Sequence, residues 1–279
     1  MNGIIRVFPR RTAYTPDDDY VFIGLPPFRE MIPEHREIHV SCTFTWDKAE
    51  CEWLKFQWET VTDQSVKLGG TAYHFPAEDF IQGMYIKPNI VFTTRGCNNC
   101  CPWCIVPMLE GSLRELPICA GNVIQDNNFL QASRAHKERV FAMLKTQSGI
   151  CFKGGLEPDL IDDHFVDAVA GLRIKELWLA CDTDGALPMF RKAAEKLRKA
   201  GFSRHKIQCY ALIGDDMERN EARLREIYNA GAMPFAQLYR DFSDIKTEYS
   251  RDWNAFARMW SRPAATRAHM ERGTDWRDF

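Results

Sequence analysis

The sequence predicts an α/β fold: a partial (β/α)6, TIM-like barrel with a small N-terminal β/α unit and a C-terminal helical extension. Strand-like apolar runs alternate with helical segments from about residue 88 onward. Such alternation indicates a parallel sheet, and right-handed crossovers coil that sheet toward a barrel. The predicted barrel strands are residues 89–94, 122–125, 150–153, 176–181, 207–213 and 235–239.

The helical segments between these strands have recognisable ends. Segment 133–145 begins with an N-cap serine, and segment 162–171 carries acids in its first turn. Segment 188–201 combines an early proline with a closing glycine, and segment 216–231 also stops at a glycine. In barrels of this kind the chemistry lies at the carboxyl ends of the strands, so motifs that follow strands are the candidate site.

The chain divides by pattern into an N-terminal β/α unit, the barrel and a C-terminal helical segment, at residues 1–85, 86–245 and 246–279. In the first part a helical stretch places Cys51, Leu54 and Trp58 on one face. Strand-like runs precede and follow that stretch, at 38–44 and 65–70. We therefore expect a β-α-β pattern before the barrel.

Bulk composition limits the classes of function. Apolar residues make up 45% and charged residues 27%, as in an ordinary globular protein, and a net charge of −2 gives no global basic field for nucleic acid. No apolar run approaches the roughly 20 residues of a membrane-spanning helix. Polar residues follow Arg10 and Arg11, where a secretion signal needs an apolar core. Ten cysteines without such a signal argue against a disulfide framework. We expect a cytoplasmic protein with no membrane partner.

Four of the ten cysteines lie between positions 97 and 104, directly after the first predicted barrel strand. Cys97, Cys101 and Cys104 give the spacing C-x3-C-x2-C, with an aromatic residue, Trp103, before the last cysteine. Thiolates are the ligands that suit iron–sulfur clusters. The loop is therefore a candidate metal site.

This loop resembles the signature of the radical S-adenosyl-L-methionine (SAM) superfamily. The resemblance implies that Cys97, Cys101 and Cys104 ligate three irons of a 4Fe-4S cluster and that SAM chelates the fourth iron through its amino and carboxylate groups. It further implies that an electron from the reduced cluster cleaves SAM to methionine and a 5′-deoxyadenosyl radical. The cofactor carries such chemistry while the protein supplies positioning. A reductant such as flavodoxin or ferredoxin is the implied partner.

The wider phrase from Arg95 to Pro107 also resembles the methylthiotransferase and cobalamin-binding branches of the superfamily. Together with residues 126–130, 154–157 and 239–240, it is similar to poorly characterised members, some of them from phages and prophages. The resemblance covers most of the chain. The cysteine loop is its most specific part.

Departures from these branches narrow the expectation. Only Cys42 and Cys51 precede the loop, so the three-cysteine second cluster of methylthiotransferases is not expected. The Asp-x-His-x-x-Gly string of many cobalamin-dependent members does not occur, which excludes base-off cobalamin binding through it. The cysteines after Cys104 are isolated, so an auxiliary-cluster domain is not expected.

Two other metal sites compete with the radical SAM interpretation. The four cysteines, as C-x2-C-C-x2-C, suggest structural zinc, but Cys100 and Cys101 are adjacent and zinc sites need a spacer between ligand pairs. A ferredoxin-type cluster needs a fourth cysteine at another spacing. Cys100 stays open as a spectator or an alternative ligand.

The resemblance implies SAM contacts at the ends of the following strands. Gln125, Asn127 and Asn128 end the second strand, where related enzymes place polar side chains for the methionine moiety; an Asn-rich turn is the alternative. Asp182 ends the fourth strand, a position suited to ribose hydroxyls, or else it caps a helix. Gly214 follows the fifth strand, where relatives let the adenine lie against backbone.

Gly154, Gly155 and Glu157 end the third strand and look like the Gly-Gly-Glu-Pro element of the superfamily, with a leucine inserted. The resemblance implies that this backbone binds the ammonium group of SAM and that Glu157 pairs with it. The alternative is a strand-to-helix turn with Glu157 near a helix N-terminus. No catalytic side chain is assigned.

The C-terminal residues 251–279 hold six arginines, three tryptophans and interspersed acids. Trp253, Phe256 and Trp260 recur at helical spacing, which favours a helix that packs its aromatic face on the barrel. The alternative is a lid that reads a polyanionic substrate through arginine–phosphate pairs.

Three functions are compatible with these patterns. The first is a radical SAM enzyme that abstracts hydrogen from a nucleotide, a nucleic acid base or a group attached to one. The second is radical modification of a peptide or small molecule. The third is a non-catalytic iron–sulfur or zinc interaction module. Reductive cleavage of SAM separates the first two functions from the third.

Overall fold

The computed structural model describes residues 3–73, 81–241, 245–275 and 277. The chain forms two compact units, one of Met1–Ile90 with Asp241–Thr247 and the other of Val91–Arg240 with Glu248–Phe279. The division at residues 1–85, 86–245 and 246–279 was drawn from sequence patterns, whereas these units are defined by contacts. It stays a prediction.

The first unit contains a four-stranded sheet of order β2-β1-β3-β4 in which all neighbours are parallel. Its elements are β1 Ile4–Phe8, β2 Val21–Ile23, β3 Glu37–Ser41, α1 Lys48–Glu59 and β4 Ser65–Gly69. As predicted, Cys51, Leu54 and Trp58 are the buried residues of α1. They pack with alternate residues of the strands, including Ile5 and Val40, into one apolar core.

The second unit is built on a six-stranded sheet of order β12-β11-β10-β9-β8-β5. Its strands are β5 Ile90–Val91, β8 Val123–Ile124, β9 Ile150–Leu156, β10 Ile174–Ala180, β11 Ile207–Ile213 and β12 Met233–Leu238. Pairing is parallel from β8 through β12, and strands consecutive in the chain are neighbours in the sheet. The predicted α/β class with a partial barrel is confirmed.

Several helices of this unit begin at a capping side chain. The helices of the unit are α2 Val106–Glu110, α3 Arg134–Leu144, α4 Asp163–Ala170, α5 Leu187–Lys199, α6 Met217–Asn229, α7 Arg251–Ser261 and α8 Pro263–Arg272. Four of these helices start with a side chain that accepts a hydrogen bond from the backbone three residues on: Ser133, Asp162, Asp216 and Ser250. These caps fix the positions at which the preceding strand-end loops turn into helices.

The C-terminal helices belong to the barrel unit. Phe256, Met259 and Trp260 of α7 are fully buried in its core, so the predicted aromatic packing face exists. Arg258 and Arg262 are exposed. In the described parts of the chain, no helix is long and apolar enough to cross a membrane.

Candidate functional site

The cysteine loop is the long connection of a small antiparallel hairpin that follows β5. The hairpin strands, β6 Thr94–Arg95 and β7 Arg114–Glu115, pair residue by residue. The loop between them contains Cys97, Cys101 and Cys104. Its neck is closed by a hydrogen bond from the Cys97 N–H to the Gly111 carbonyl, at 3.1 Å.

Glycine is required at position 96, one residue before the first cysteine. Its φ is +78°, and a Cβ atom there would lie 2.3 Å from the Ser112 carbonyl oxygen. The neck is therefore too narrow for a side chain, and the backbone enters the loop in a conformation that favours glycine. The Arg-Gly-Cys phrase in the sequence reflects this geometry.

The three thiols of the loop differ in exposure. Cys97 and Cys101 are half-buried and Cys104 is exposed. Burial raises the pKa of the Cys101 thiol, and the nearby Cys104 and Cys97 thiols raise it further. Across the described ranges, no three His, Cys, Asp or Glu residues are arranged to hold a metal ion. Because Cys97 raises the pKa of Cys104 and both raise the pKa of Cys101, the three thiols lie near one another, as the ligands of one 4Fe-4S cluster must.

A polar cluster joins this loop to the ends of β8 and β9. The Oε2 atom of Glu157 accepts hydrogen bonds from the side-chain amides of Asn99, Asn128 and Gln131, at 3.1, 2.7 and 3.2 Å. Gln131 also accepts from the Asn98 N–H at 2.8 Å. The loop is therefore held against the strand end that carries the predicted ammonium-binding residue.

Asn128 places a buried polar side chain beside the cysteine loop. It is 3% exposed, and its amide nitrogen lies 3.9 Å from the Cys97 sulfur. Its Oδ1 atom is buried without a hydrogen-bond partner. A buried acceptor is costly to leave unpaired. An ammonium group would supply a proton to this Oδ1 atom and a positive charge beside the Glu157 carboxylate, so these two residues could hold one.

The two predicted glycines of β9 form a bulge. Between the pairs Phe152↔Leu177 and Leu156↔Leu179, the register of β9 gains two residues relative to β10. Gly155 has a φ of +87°, and a Cβ on Gly154 would lie 1.5 Å from the backbone oxygen of Asp126. The end of β8 thus lies directly against Gly154, so this glycine is needed for strand packing itself.

A cavity of about 310 Å³ opens at the carboxyl ends of β10, β11 and β12. That volume is at the lower end of the range for small-molecule sites, about 300–1,000 Å³. Its lining residues are Trp103, Asp182, Thr183, Leu212, Ile213, Gly214, Asp215, Arg219, Arg223 and Tyr239. Three residues that the sequence resemblance assigns to cofactor binding therefore line one cavity: Trp103 from the cysteine loop, Asp182 after β10 and Gly214 after β11.

Asp182 is held in place by the backbone of the next strand. Its Oδ1 atom accepts the Leu212 N–H at 3.0 Å. Burial raises the pKa of the Asp182 carboxyl, although the Leu212 N–H, Arg223 and the Trp103 side chain each lower it. Trp103 thus connects the cysteine loop with the cavity wall. A mostly buried carboxylate facing a cavity is suited to accept hydrogen bonds from ligand hydroxyls.

The backbone geometry at position 214 requires glycine, apart from any predicted contact with adenine. Its φ is +139°, and a Cβ atom there would lie 2.8 Å from the Tyr249 hydroxyl. That hydroxyl donates to the Tyr239 carbonyl. A side chain at position 214 would therefore displace Tyr249 whether or not a ligand is bound.

Asp126 is a buried carboxyl at the base of the site. Its titration should make the stability of the protein depend on pH. The carboxyl accepts the Thr93 N–H at 2.6 Å, and burial raises the pKa of Asp126 to about 6. The folded state keeps this proton up to about pH 6, whereas the unfolded state releases it near pH 4, so stability should fall as pH rises between those values. Each pKa unit corresponds to about 1.4 kcal/mol, which makes the effect on the order of 3 kcal/mol.

Asp126→Asn, which mimics the neutral carboxyl, should therefore flatten this decline. Urea unfolding of both proteins at pH 4 and pH 7.5 measures it. Asp159→Asn, at an exposed carboxyl, is the control and should leave the decline in place. Equal pH dependence in the wild type and Asp126→Asn would contradict the assignment.

The predicted residues at the ends of β8 and β9 differ in what they contact. Three contact the cysteine loop: Asn127, Asn128 and Glu157. Gln125 pairs its N–H with the Val91 carbonyl at the strand edge. Sequence reasoning missed several residues of the site, including Asn99, Glu110, Gln131, Arg223 and Tyr239.

No protein-family model and no curated protein sequence matches the chain. Among solved structures, the chain is similar to TsrM, a radical SAM methyltransferase from Kitasatospora setae, in a structure with cobalamin and a 4Fe-4S cluster bound. The TM-score is 0.62 over 86% of this chain and 75% of that one, at 10% sequence identity. The likeness shows the fold alone: this chain shares its partial-barrel architecture with TsrM.

Proposed function

We propose that the protein is a radical SAM enzyme whose cluster is held by Cys97, Cys101 and Cys104. The observation that carries the proposal is the convergence at one end of the barrel of a three-cysteine loop, an unpaired buried acceptor and a cavity. The fold shared with TsrM supports it. When bound, such a cluster supplies the electron that cleaves SAM.

The proposed SAM position has two ends. Asn128 and Glu157, beside the cysteine loop, hold the ammonium of the methionine moiety. Asp182 accepts from the ribose hydroxyls, and the adenine lies against Gly214 and Trp103 in the cavity. Among these residues Trp103 belongs to the cysteine loop itself, so the loop contributes to both the cluster and the cosubstrate.

Hydrogen abstraction from a nucleotide or nucleic acid base stays our first proposal, and it rests on the sequence resemblance. The buried aromatic face of α7 accounts for Phe256 and Trp260 without a substrate, which removes half of the argument for a lid. Methyl transfer is the second candidate, because TsrM is a methyltransferase that holds cobalamin.

The test is anaerobic reconstitution followed by reduction with dithionite in the presence of SAM. We expect slow release of 5′-deoxyadenosine even without substrate. With cobalamin added to accept the methyl group, S-adenosylhomocysteine as the main product would favour methyl transfer instead. Neither product from a fully loaded, reduced protein would favour a non-catalytic iron–sulfur module. Deuterium on the true substrate should then appear in 5′-deoxyadenosine.

Asp182 offers a test of the proposed SAM position. Asp182→Asn keeps an acceptor for the Leu212 N–H but weakens a charge-assisted bond to the ribose, so SAM binding should fall by roughly tenfold. Iron content should not change. Calorimetric titration of SAM measures the affinity, and Asp167→Asn, an exposed carboxyl on α4, is the control. Unchanged affinity in Asp182→Asn would move the ribose elsewhere.

A further inference from the structure

Glu110, at the end of α2, bonds to three residues around the cysteine loop, and the sequence did not single it out as a site residue. Its Oε1 atom pairs with the Arg95 guanidinium at 2.7 Å. Its Oε2 atom accepts the Gly96 N–H at 3.0 Å and the Asn127 side-chain amide at 2.7 Å. One carboxylate therefore touches the entry of the loop and the end of β8 together.

This carboxylate is not a surface group. The Arg95 and Glu110 side chains are 14% and 15% exposed, and the guanidinium also lies over the Phe92 ring, 4.7 Å from its centre. Breaking such a buried pair leaves a charge without compensation. The arrangement is therefore held firmly, unlike an exposed ion pair that water can replace.

The positions that Glu110 connects are functionally distinct. Gly96 directly precedes the proposed ligand Cys97, and Asn127 directly precedes Asn128, which faces the proposed ammonium site. Moving Glu110 would shift these two neighbours relative to each other. Cluster and cosubstrate must meet at a defined separation, because misplacement of about 1 Å is enough to impair a site of this kind.

We infer that Glu110 is a positioning residue that sets the place of Cys97 relative to the SAM-binding end of β8. The inference rests on the proposed function, since it assumes that the loop holds a cluster and that Asn128 contacts SAM. Glu110 touches neither group itself. Its loss should weaken SAM binding while leaving the fold intact.

The test compares two double variants that both remove the charge of Arg95. Arg95→Met/Glu110→Gln keeps a carbonyl oxygen to bridge Gly96 and Asn127. Arg95→Met/Glu110→Met removes the bridge but leaves no unpaired buried charge, and methionine adapts to the space. Glu115→Gln is the matched control, because Glu115 lies in the same hairpin and accepts from the Ser133 N–H instead.

Three readouts are needed on anaerobically reconstituted proteins: iron content, SAM affinity by calorimetry, and the electron paramagnetic resonance spectrum of the reduced protein with and without SAM. We expect Arg95→Met/Glu110→Met to bind SAM at least about tenfold more weakly, with a smaller SAM-induced spectral change. The variant with Gln and the Glu115→Gln control should stay within roughly threefold of the wild type. Selective iron loss from a folded Arg95→Met/Glu110→Met protein also supports the inference.

Equal SAM affinity in the two double variants would overturn it, as would an equal loss in Glu115→Gln. If Arg95→Met/Glu110→Met does not fold, Arg95→Ala/Glu110→Ala replaces it under the same criteria. A wild-type protein that holds no cluster would instead refute the proposed function. The two failures are thus distinguishable.

Discussion

Replacing any one of Cys97, Cys101 and Cys104 with alanine should abolish the cluster. The wild type is expected to hold about four irons and four sulfides per chain, and each variant close to none, because every proposed thiolate ligates its own iron. SAM cleavage should be lost in parallel. Iron and sulfide analysis after anaerobic reconstitution measures the first effect, and release of 5′-deoxyadenosine measures the second.

Cys100 is the internal control for this result. It is exposed and adjacent to Cys101, so Cys100→Ala shares the loop and the type of substitution. We expect it to keep the full cluster. If Cys100→Ala lost the cluster while Cys101→Ala retained it, the ligand set would be Cys97, Cys100 and Cys104. Retention by all single variants would favour a different metal site.

The barrel was predictable because its signals are local. The apolar run of β11 was predicted over 207–213 and is observed over Ile207–Ile213, and the caps of α3, α4 and α6 lie where short polar residues precede apolar patterns. In β9 the predicted end at residue 153 was too early, since the strand continues to Leu156. Glycines normally indicate a turn, whereas here they form a bulge within the strand.

The first unit shows why other strands were missed. β1 contains Arg6, which is 2% exposed and donates to the Met84 carbonyl at 2.9 Å. A charged residue in a five-residue segment argues against a buried strand when only the sequence is known. The charge of Arg6 is compensated by the Asp18 carboxylate, and Met84 lies 78 positions away, so no pattern within the strand reveals either partner.

Some residues of the site can be identified from local sequence, and others only from contacts made in the folded chain. The cysteine spacing and the polar residues at strand ends are local, so the sequence identifies Cys97, Asn128, Glu157 and Asp182 as candidates. Glu110 ends an unremarkable helical turn and acquires its role through Asn127, 17 residues further on. Likewise, Gln131 joins the cluster only because β8 and β9 bring it beside Glu157.

Gly154→Ala should be among the most destabilising single substitutions in the barrel. The new Cβ would lie 1.5 Å from the Asp126 carbonyl oxygen and 2.6 Å from its carbon. Both are backbone atoms of a neighbouring strand end, so the strands must separate. We expect a loss of about 3 kcal/mol or more in unfolding free energy, above the usual cost of overpacking. For a unit of this size, that lowers Tm by roughly 6–12 °C.

Alanine substitutions at Gly155 and Gly185 serve as comparisons for Gly154→Ala. Gly155→Ala meets only the Tyr210 ring at 4.0 Å, but its φ of +87° costs an alanine about 1–2 kcal/mol. Gly185→Ala has its nearest contact at 3.8 Å, without a positive φ, and should cost less than about 0.5 kcal/mol. Urea unfolding should therefore rank the losses Gly154, Gly155, Gly185. If Gly154→Ala instead kept wild-type stability and only weakened SAM binding, the glycine would serve the approach of the cosubstrate, because strand packing would have tolerated the methyl group.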